Sequence, residues 1–390
     1  MKGRFARCLI LVLATANSCV FDDPLNVVRL PGPSSRIGQM DSLNEAQKSR
    51  LEGIYLVEAG SQYFGSTVVV KWNSRKHLTI FTGESVSYLV LEAGHLDSIF
   101  FLEGYWRSQN SLRSGLAQFE ILKDGGGKRL MGDTLAMGQL IIEGEIGEEN
   151  NRPSIPVVLR FLWAIRSEIL ARNFWILAHR GGGIMSGHLP HSENTVELIR
   201  LAEQFGANGV EIDVRLTKDN FPVLYHDNTL NPRLVRKTPM LGGVEDYTLA
   251  QLRTFVRLIN GEQIPTLDEA LRVIVYETDL RFVWLDSKTE GKDLMKQMVP
   301  LMQQYMAEAG VLVGLGLRDS LEIMMGVPTD KIYEEVLKYP GFAAVPTIAE
   351  KSLEKARTMN ARVWAPLWSN GINNADNAIA RSEGRRIFVW

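Results

Sequence analysis

Two segments of the 390-residue chain place ionisable side chains at alternate positions. In 209–216, Glu211 and Asp213 alternate with Val210, Ile212 and Val214. Alternation on a strand puts the two carboxylates on one face and the three apolar residues on the other. Residues 282–288 repeat the device with Asp286 and Lys288. Two further apolar runs end in His179-Arg180 and in His226-Asp227. Imidazole, with an unperturbed pKa of about 6.5, suits proton transfer in either direction near neutral pH. A carboxylate set without thiolates suits a hard divalent cation, Mg²⁺, Ca²⁺ or Mn²⁺, better than zinc. Either carboxylate alone fits equally well an ion pair with Arg215. Burying the whole set at one place is costly unless an ion or substrate compensates.

The elements that must position these residues follow from the apolar pattern. From 174 onward, short apolar runs alternate with helical stretches, which indicates parallel β/α units. The runs fall at 175–179, 209–216, 222–226, 282–286, 311–315, 343–346, 362–366 and 386–390. Eight such strands predict an α/β fold of the (β/α)8 TIM-barrel kind, whose strand ends deliver functional groups to one rim. The last strand has no helix after it, and a mouth held loosely for that reason would favour ligand capture over catalysis.

Before the barrel, β-branched and aromatic runs at 54–57, 67–72, 78–81, 88–91, 99–102, 117–122 and 140–142 predict a smaller mostly-β domain, sandwich or barrel, over 49–150. His77 and His95 lie there outside any cluster of carboxylates or other histidines and are expected to be surface or structural residues. Pro153 and Pro156 introduce a stretch that fits a linker helix over 151–173. The segment 20–48, rich in Pro, Ser and Asn, reads as a tether. At the start, Lys2, Arg4 and Arg7 precede an apolar run too short to span a bilayer, the pattern of a signal peptide over 1–19. Export to the periplasm or cell surface is therefore expected. Cys8 and Cys19 are the two cysteines of the chain. The stretch Ala16-Asn17-Ser18-Cys19 also resembles a lipoprotein cleavage site, at which an acylated Cys19 would tether the protein to a membrane. A formal net charge of -2 gives no footprint for nucleic acid.

The motifs occur in an order that resembles the glycerophosphodiester phosphodiesterase family: HRGGG at His179, SENT at Ser192, GVEIDVRLTKD at Gly209, VLYHDNTL at Val223 and IPTLDEAL at Ile264. The resemblance implies a TIM barrel of the phospholipase C-like phosphodiesterase type. It implies hydrolysis of a glycerophosphodiester to glycerol 3-phosphate and an alcohol, with His179 and His226 as acid and base. Glu211, Asp213 and Asp286 would hold one divalent cation, Asp286 standing where the family usually has glutamate. Arg180, Lys288 and Glu193 would contact or brace the phosphate. Glu193-Asn194-Thr195 also reads as a helix start, with Asn194 or Ser192 as its cap. Thr266 and Glu269 read as a second helix start, with Glu269 in reserve for the site. Trp368 and Trp390 could line the alcohol pocket or fill the barrel core. Two other activities remain open: a phospholipase D-like reaction on lysophospholipids, and non-catalytic binding of a phosphorylated ligand.

Overall fold

Alternating apolar residues close the first half of the chain into a barrel. In the computed structural model, residues 32, 34–73, 76–108, 113–132, 135–149, 151–170, 174–183, 189–291 and 294–389 are described. The first sheet runs β1 (Gly53–Ala59), β2 (Thr67–Trp72), β3 (Leu78–Thr82), β4 (Ser87–Leu96), β5 (Ile99–Ser108), β6 (Ser114–Ile121), β7 (Ile141–Ile146) and β8 (Ile155–Trp163). Each strand pairs antiparallel with the next, and β8 returns to β1 with Tyr55 opposite Phe161. Closure leaves this sheet no free edge. Tyr55, Ile80, Leu89, Phe100, Phe119 and Leu159 fill its interior. Short helices α1 (Glu45–Leu51), α2 (Ser61–Phe64), α3 (Lys128–Gly132) and α4 (Ser167–Leu170) lie along or after it.

Two sequence expectations change here. The stretch read as a linker helix, 151–173, supplies the eighth strand instead, because Val157, Leu159 and Phe161 alternate inward with period two. The described part of the supposed tether 20–48 packs on the barrel. Asn44 and Gln47 form a reciprocal capping box that starts α1, Leu43 and Leu51 are buried, and Asp41 bridges to His95. His95 is buried, with its Nδ1 2.9 Å from the carbonyl of Asp97 and its ring against Phe100, which is a structural role. The segment 1–19, with Cys8 and Cys19, lies outside the described residues, as do His188 and Trp390. Among the described residues, no helix is long and apolar enough to cross a membrane.

The second half forms a curled parallel sheet of the TIM-barrel class: β9 (Leu177–Ala178), β10 (Gly209–Leu216), β12 (Phe282–Ser287), β13 (Glu322–Val327), β14 (Thr347–Glu350), β15 (Val363–Ala365) and β16 (Arg386–Ile387). Helices α5 (Val196–Arg200), α6 (Leu249–Phe255), α7 (Leu267–Glu277), α8 (Leu294–Gly314), α9 (Asp330–Lys338), α10 (Leu353–Thr358) and α11 (Asn374–Ser382) connect these strands. The run 222–226 is not a parallel barrel strand. Its ordered part, β11 (Pro222–Leu224), folds back antiparallel on β10, so that β9 pairs with the start of β10 and β11 with its end. The run 311–315 is not a strand either. It ends the long amphipathic α8, and the fourth parallel strand is β13.

The strand faces divide as their sequences require. Val210, Ile212, Val214, Val283 and Leu285 pack outward against the helices, while Phe282, Trp284, Met324, Ile348, Val363 and Ala365 fill the interior. Gly326 lies opposite Asp286 in the ladder, and a Cβ there would fall 2.3 Å from the Trp284 indole nitrogen, so only glycine leaves that ring its place. The two sheets meet where Tyr105 donates its hydroxyl hydrogen to the carbonyl of Gln204 at 2.7 Å and Phe81 packs edge-on against Phe174. Thr79 and Val90 lie close to Gly206, just beyond the turn that follows α5.

Candidate active site

The HRG turn is the first piece. Arg180 adopts left-handed backbone angles, φ 54°, ψ 35°, a conformation that costs a side-chain-bearing residue roughly 1–2 kcal/mol. The turn aims the Arg180 amide at Glu211 Oε2, 2.8 Å away. It also sets His179 Nε2 at 3.8 Å from the same oxygen. The His179 pKa is lowered to about 4, first by loss of hydration and then by the Arg180 charge. Its ring still opens toward the mouth, 59% exposed.

The next piece is β10. Glu211, Asp213 and Arg215 point inward, and the ladder sets Asp213 beside Asp286. One carboxylate oxygen from each of Glu211, Asp213 and Asp286 lies within 4.8 Å of the others. Lys288 bridges two of them, with Nζ 2.5 Å from Asp286 Oδ2 and 3.2 Å from Asp213 Oδ1. Burial, followed by the charges of Asp213 and Asp286, pushes the Glu211 pKa well up. Burial also raises Asp286, against the opposing pull of Lys288. Asp286 Oδ1 accepts no hydrogen bond from the described residues, and Asp213 Oδ1 has the Lys288 ion pair but no well-aligned hydrogen bond. Buried carboxylate oxygens in this condition are suited to a hard cation. The donor set therefore fits a divalent metal, and Glu211, Asp213 and Asp286 are the residues that would hold it. Arg215 does not compete for them, since its Nη1 pairs with Glu245 at 2.8 Å.

The hairpin supplies the third piece. From the end of β11 the chain brings His226 to the rim, with its Nδ1 2.7 Å from Asp227 Oδ1. Burial would raise the Asp227 pKa, but hydrogen bonds from Arg233, His226 and Asn231 outweigh it and hold the carboxylate well below its ordinary range. An ionised Asp227 fixes the Nδ1–H tautomer and leaves Nε2 of His226 free.

Residues from the SENT segment brace these pieces. Glu193 is buried and accepts from Arg180 Nη1 at 2.7 Å and from Arg233 Nη1 at 2.9 Å. The cap of α5 is neither Asn194 nor Ser192. Thr195 caps it by accepting from the Leu198 amide, and Asn194 turns to Asp213 instead. Ser192 donates its hydroxyl hydrogen to Glu262. Glu269 completes the capping box of α7 with Thr266 and pairs with Arg253, away from the carboxylate triad. Trp368 is neither core nor shielded lining, being 74% exposed.

Two residues of the site escaped the sequence reading. Arg233 lies six residues beyond Asp227 and ties it to Glu193; only this spacing could have hinted at it. Glu350 ends β14 on the inward face, and it was missed because that strand was placed at 343–346, a few residues early. Its pKa is pushed up to about 8, first by burial and then by Asp286. Beside His226 and Lys288 opens a polar cavity of about 500 Å³, lined also by Arg215, Asn228, Glu245 and Thr289. A larger cavity, about 720 Å³, lies between the two sheets against Arg36, His77 and Glu203 and contains none of these groups. The chemistry places the site at the smaller one.

The sequence model of the Glycerophosphoryl diester phosphodiesterase family matches residues 179–365, leaving the first barrel outside the match. The chain is similar to a glycerophosphodiester phosphodiesterase of Caldanaerobacter subterraneus, 38% identical over 105 residues, which cover 25% of this chain and 40% of that protein. It is likewise similar to glycerophosphodiester phosphodiesterase 1 of Homo sapiens, 42% identical over 103 residues, 24% of this chain and 28% of that protein. The chain thus spans less than half the length of these relatives. Among solved structures it is similar to an Oleispira antarctica phosphodiesterase in complex with the product sn-glycerol-3-phosphate. That likeness has a TM-score of 0.43 at 22% identity and covers 56% of this chain and 84% of the other.

Proposed function

We propose that the protein hydrolyses glycerophosphodiesters to sn-glycerol 3-phosphate and an alcohol, a reading supported by the match of residues 179–365 to the model of the glycerophosphoryl diester phosphodiesterase family. The observation that carries this proposal is the meeting of two imidazoles, three carboxylates and two cationic side chains at one barrel mouth. A divalent cation held by Glu211, Asp213 and Asp286 would neutralise phosphodiester oxygens and stabilise the charge that develops on them.

The chain's own groups do the rest. Arg180 and Lys288 orient the phosphate, and Glu193 holds Arg180 in place. One histidine withdraws the proton from the attacking water as its oxygen bonds to phosphorus. The other gives a proton to the alkoxide as the phosphorus–oxygen bond breaks. Asp227 keeps the His226 ring in one tautomer through both events. The cavity beside His226 is lined by hydrogen-bonding groups, which suits glycerol or a small polar alcohol better than an acyl chain.

The test is release of sn-glycerol 3-phosphate from glycerophosphocholine and glycerophosphoethanolamine by metal-stripped protein, with Mg²⁺, Ca²⁺ or Mn²⁺ added back. Release restored by a cation is the expected result. No release with any of the three would overturn the proposal.

A further inference from the structure

Glu350 is 4% exposed, and both of its carboxylate oxygens are buried without a hydrogen-bond partner among the described residues. Leaving a buried carboxylate in that state is costly, and native proteins rarely do so without a ligand or a second conformation to satisfy it. Its position is fixed by register. Asp286 pairs in the ladder with Gly326, and Gly326 with Ile348, whose side chain belongs to the interior layer. Two residues further on and on the same face, Glu350 stands one layer nearer the rim. Lys288 stands two residues past Asp286, at the corresponding level.

Lys288 is meanwhile in a place it cannot keep. Its ammonium lies 2.5 Å from Asp286 and 3.2 Å from Asp213, among the oxygens that a divalent cation would need. Two like charges a few ångströms apart in a buried site repel strongly, so a bound cation and Lys288 in its present position exclude each other. The ammonium needs another carboxylate within reach of its four-carbon stem.

Resting on the assignment of Glu211, Asp213 and Asp286 as the cation site, we propose that Glu350 is the seat Lys288 takes when that site is filled. Lys288 then leaves the carboxylate oxygens to the cation, and Glu350 holds the ammonium clear of it but still at the barrel mouth, where it can meet the phosphate. Glu350 is thus a positioning residue that acts through Lys288.

The test is Mn²⁺ affinity, read from free Mn²⁺ by electron paramagnetic resonance in the full chain without substrate. Glu350→Gln, and Glu350→Leu as a second uncharged replacement, are expected to weaken Mn²⁺ binding about tenfold, the equivalent of one lost ion pair. Lys288→Met is expected to strengthen it. In a Lys288→Met background, the Glu350 replacements are expected to change nothing, because there is no ammonium to receive. Wild-type affinity in both Glu350 variants would overturn the proposal. So would an equal loss with and without Lys288, since Glu350 would then act on the cation directly. Failure of the wild-type protein to bind Mn²⁺ at all would instead remove the cation site itself.

Discussion

Asn194 grips Asp213 from two sides. Its Nδ2 donates to Asp213 Oδ2 at 2.7 Å, and its Oδ1 accepts from the Asp213 backbone amide at 3.0 Å. Asn194 reaches this position with φ 60°, in the left-handed region that asparagine tolerates better than most residues. Asn194→Ala is therefore expected to destabilise the protein by about 1–3 kcal/mol, because it strands a buried carboxylate oxygen and a buried amide together. Denaturant unfolding of the two proteins checks it. A difference below about 0.5 kcal/mol would show that Asp213 is held by other means.

Removing either imidazole should cost rate and leave the fold intact. His179→Ala and His226→Ala are each expected to slow sn-glycerol 3-phosphate release about 10²–10⁴-fold while cation binding persists. Asp227→Asn should lie between them and the wild type, since His226 keeps its ring but loses its orienting charge. These are kcat measurements at saturating cation. Wild-type rates in both histidine variants would remove acid–base chemistry from the account.

Glu350 gives stability a definite pH dependence. An unfolded glutamate titrates at about 4.3, whereas in the folded protein Glu350 is raised to about 8 by burial and then by the charges of Asp286 and Asp213, against the opposing pull of Lys288 and Lys351. Between those values the folded state holds a proton that the unfolded state has released, so stability falls as pH rises from about 4.3 to about 8. Glu350→Gln lifts this cost. Its stabilising effect should be near zero at pH 4 and on the order of 5 kcal/mol at pH 8. Melting curves across that range decide the matter, and a gain independent of pH would contradict the assignment.

Chelation offers a reversible control. EDTA is expected to abolish turnover, and added divalent cation to restore it. Asp286→Asn should resist restoration, because it removes one of three anionic ligands. Turnover that survives exhaustive chelation would place the chemistry on the histidines and cationic side chains alone.

Much of this architecture was legible in the chain. Alternation in 209–216 separates two faces of β10, and Val210, Ile212 and Val214 do pack together against the helices, opposite to Glu211 and Asp213. Periodicity failed where short apolar runs are ambiguous. Residues 311–315 are as apolar as a strand, yet they finish a long helix whose earlier turns set the 3.6-residue period. Residues 151–173 hold Pro153 and Pro156 near their start and carry spaced arginines, and although β7 lies just before them, the strand that closes the barrel on them, β1, lies about a hundred residues back in sequence, beyond any local signal. The contacts of Arg233 and of Asn194, which reads locally as a helix cap, depend on which strands and turns become neighbours, and no local pattern carries them.

The β10–β11 hairpin divides the mouth into two independently adjustable parts. Asp213 and His226 ride on one short antiparallel ladder, so their separation is set by local pairing and does not depend on how the rest of the sheet curls. The strands β13 to β16 lie on the other side, past β12, and carry neither histidine. Of the residues around the cavity beside His226, Pro328 and Thr329 follow β13, so substitution there can alter the shape of that cavity while the hairpin that carries Asp213 and His226 keeps its pairing.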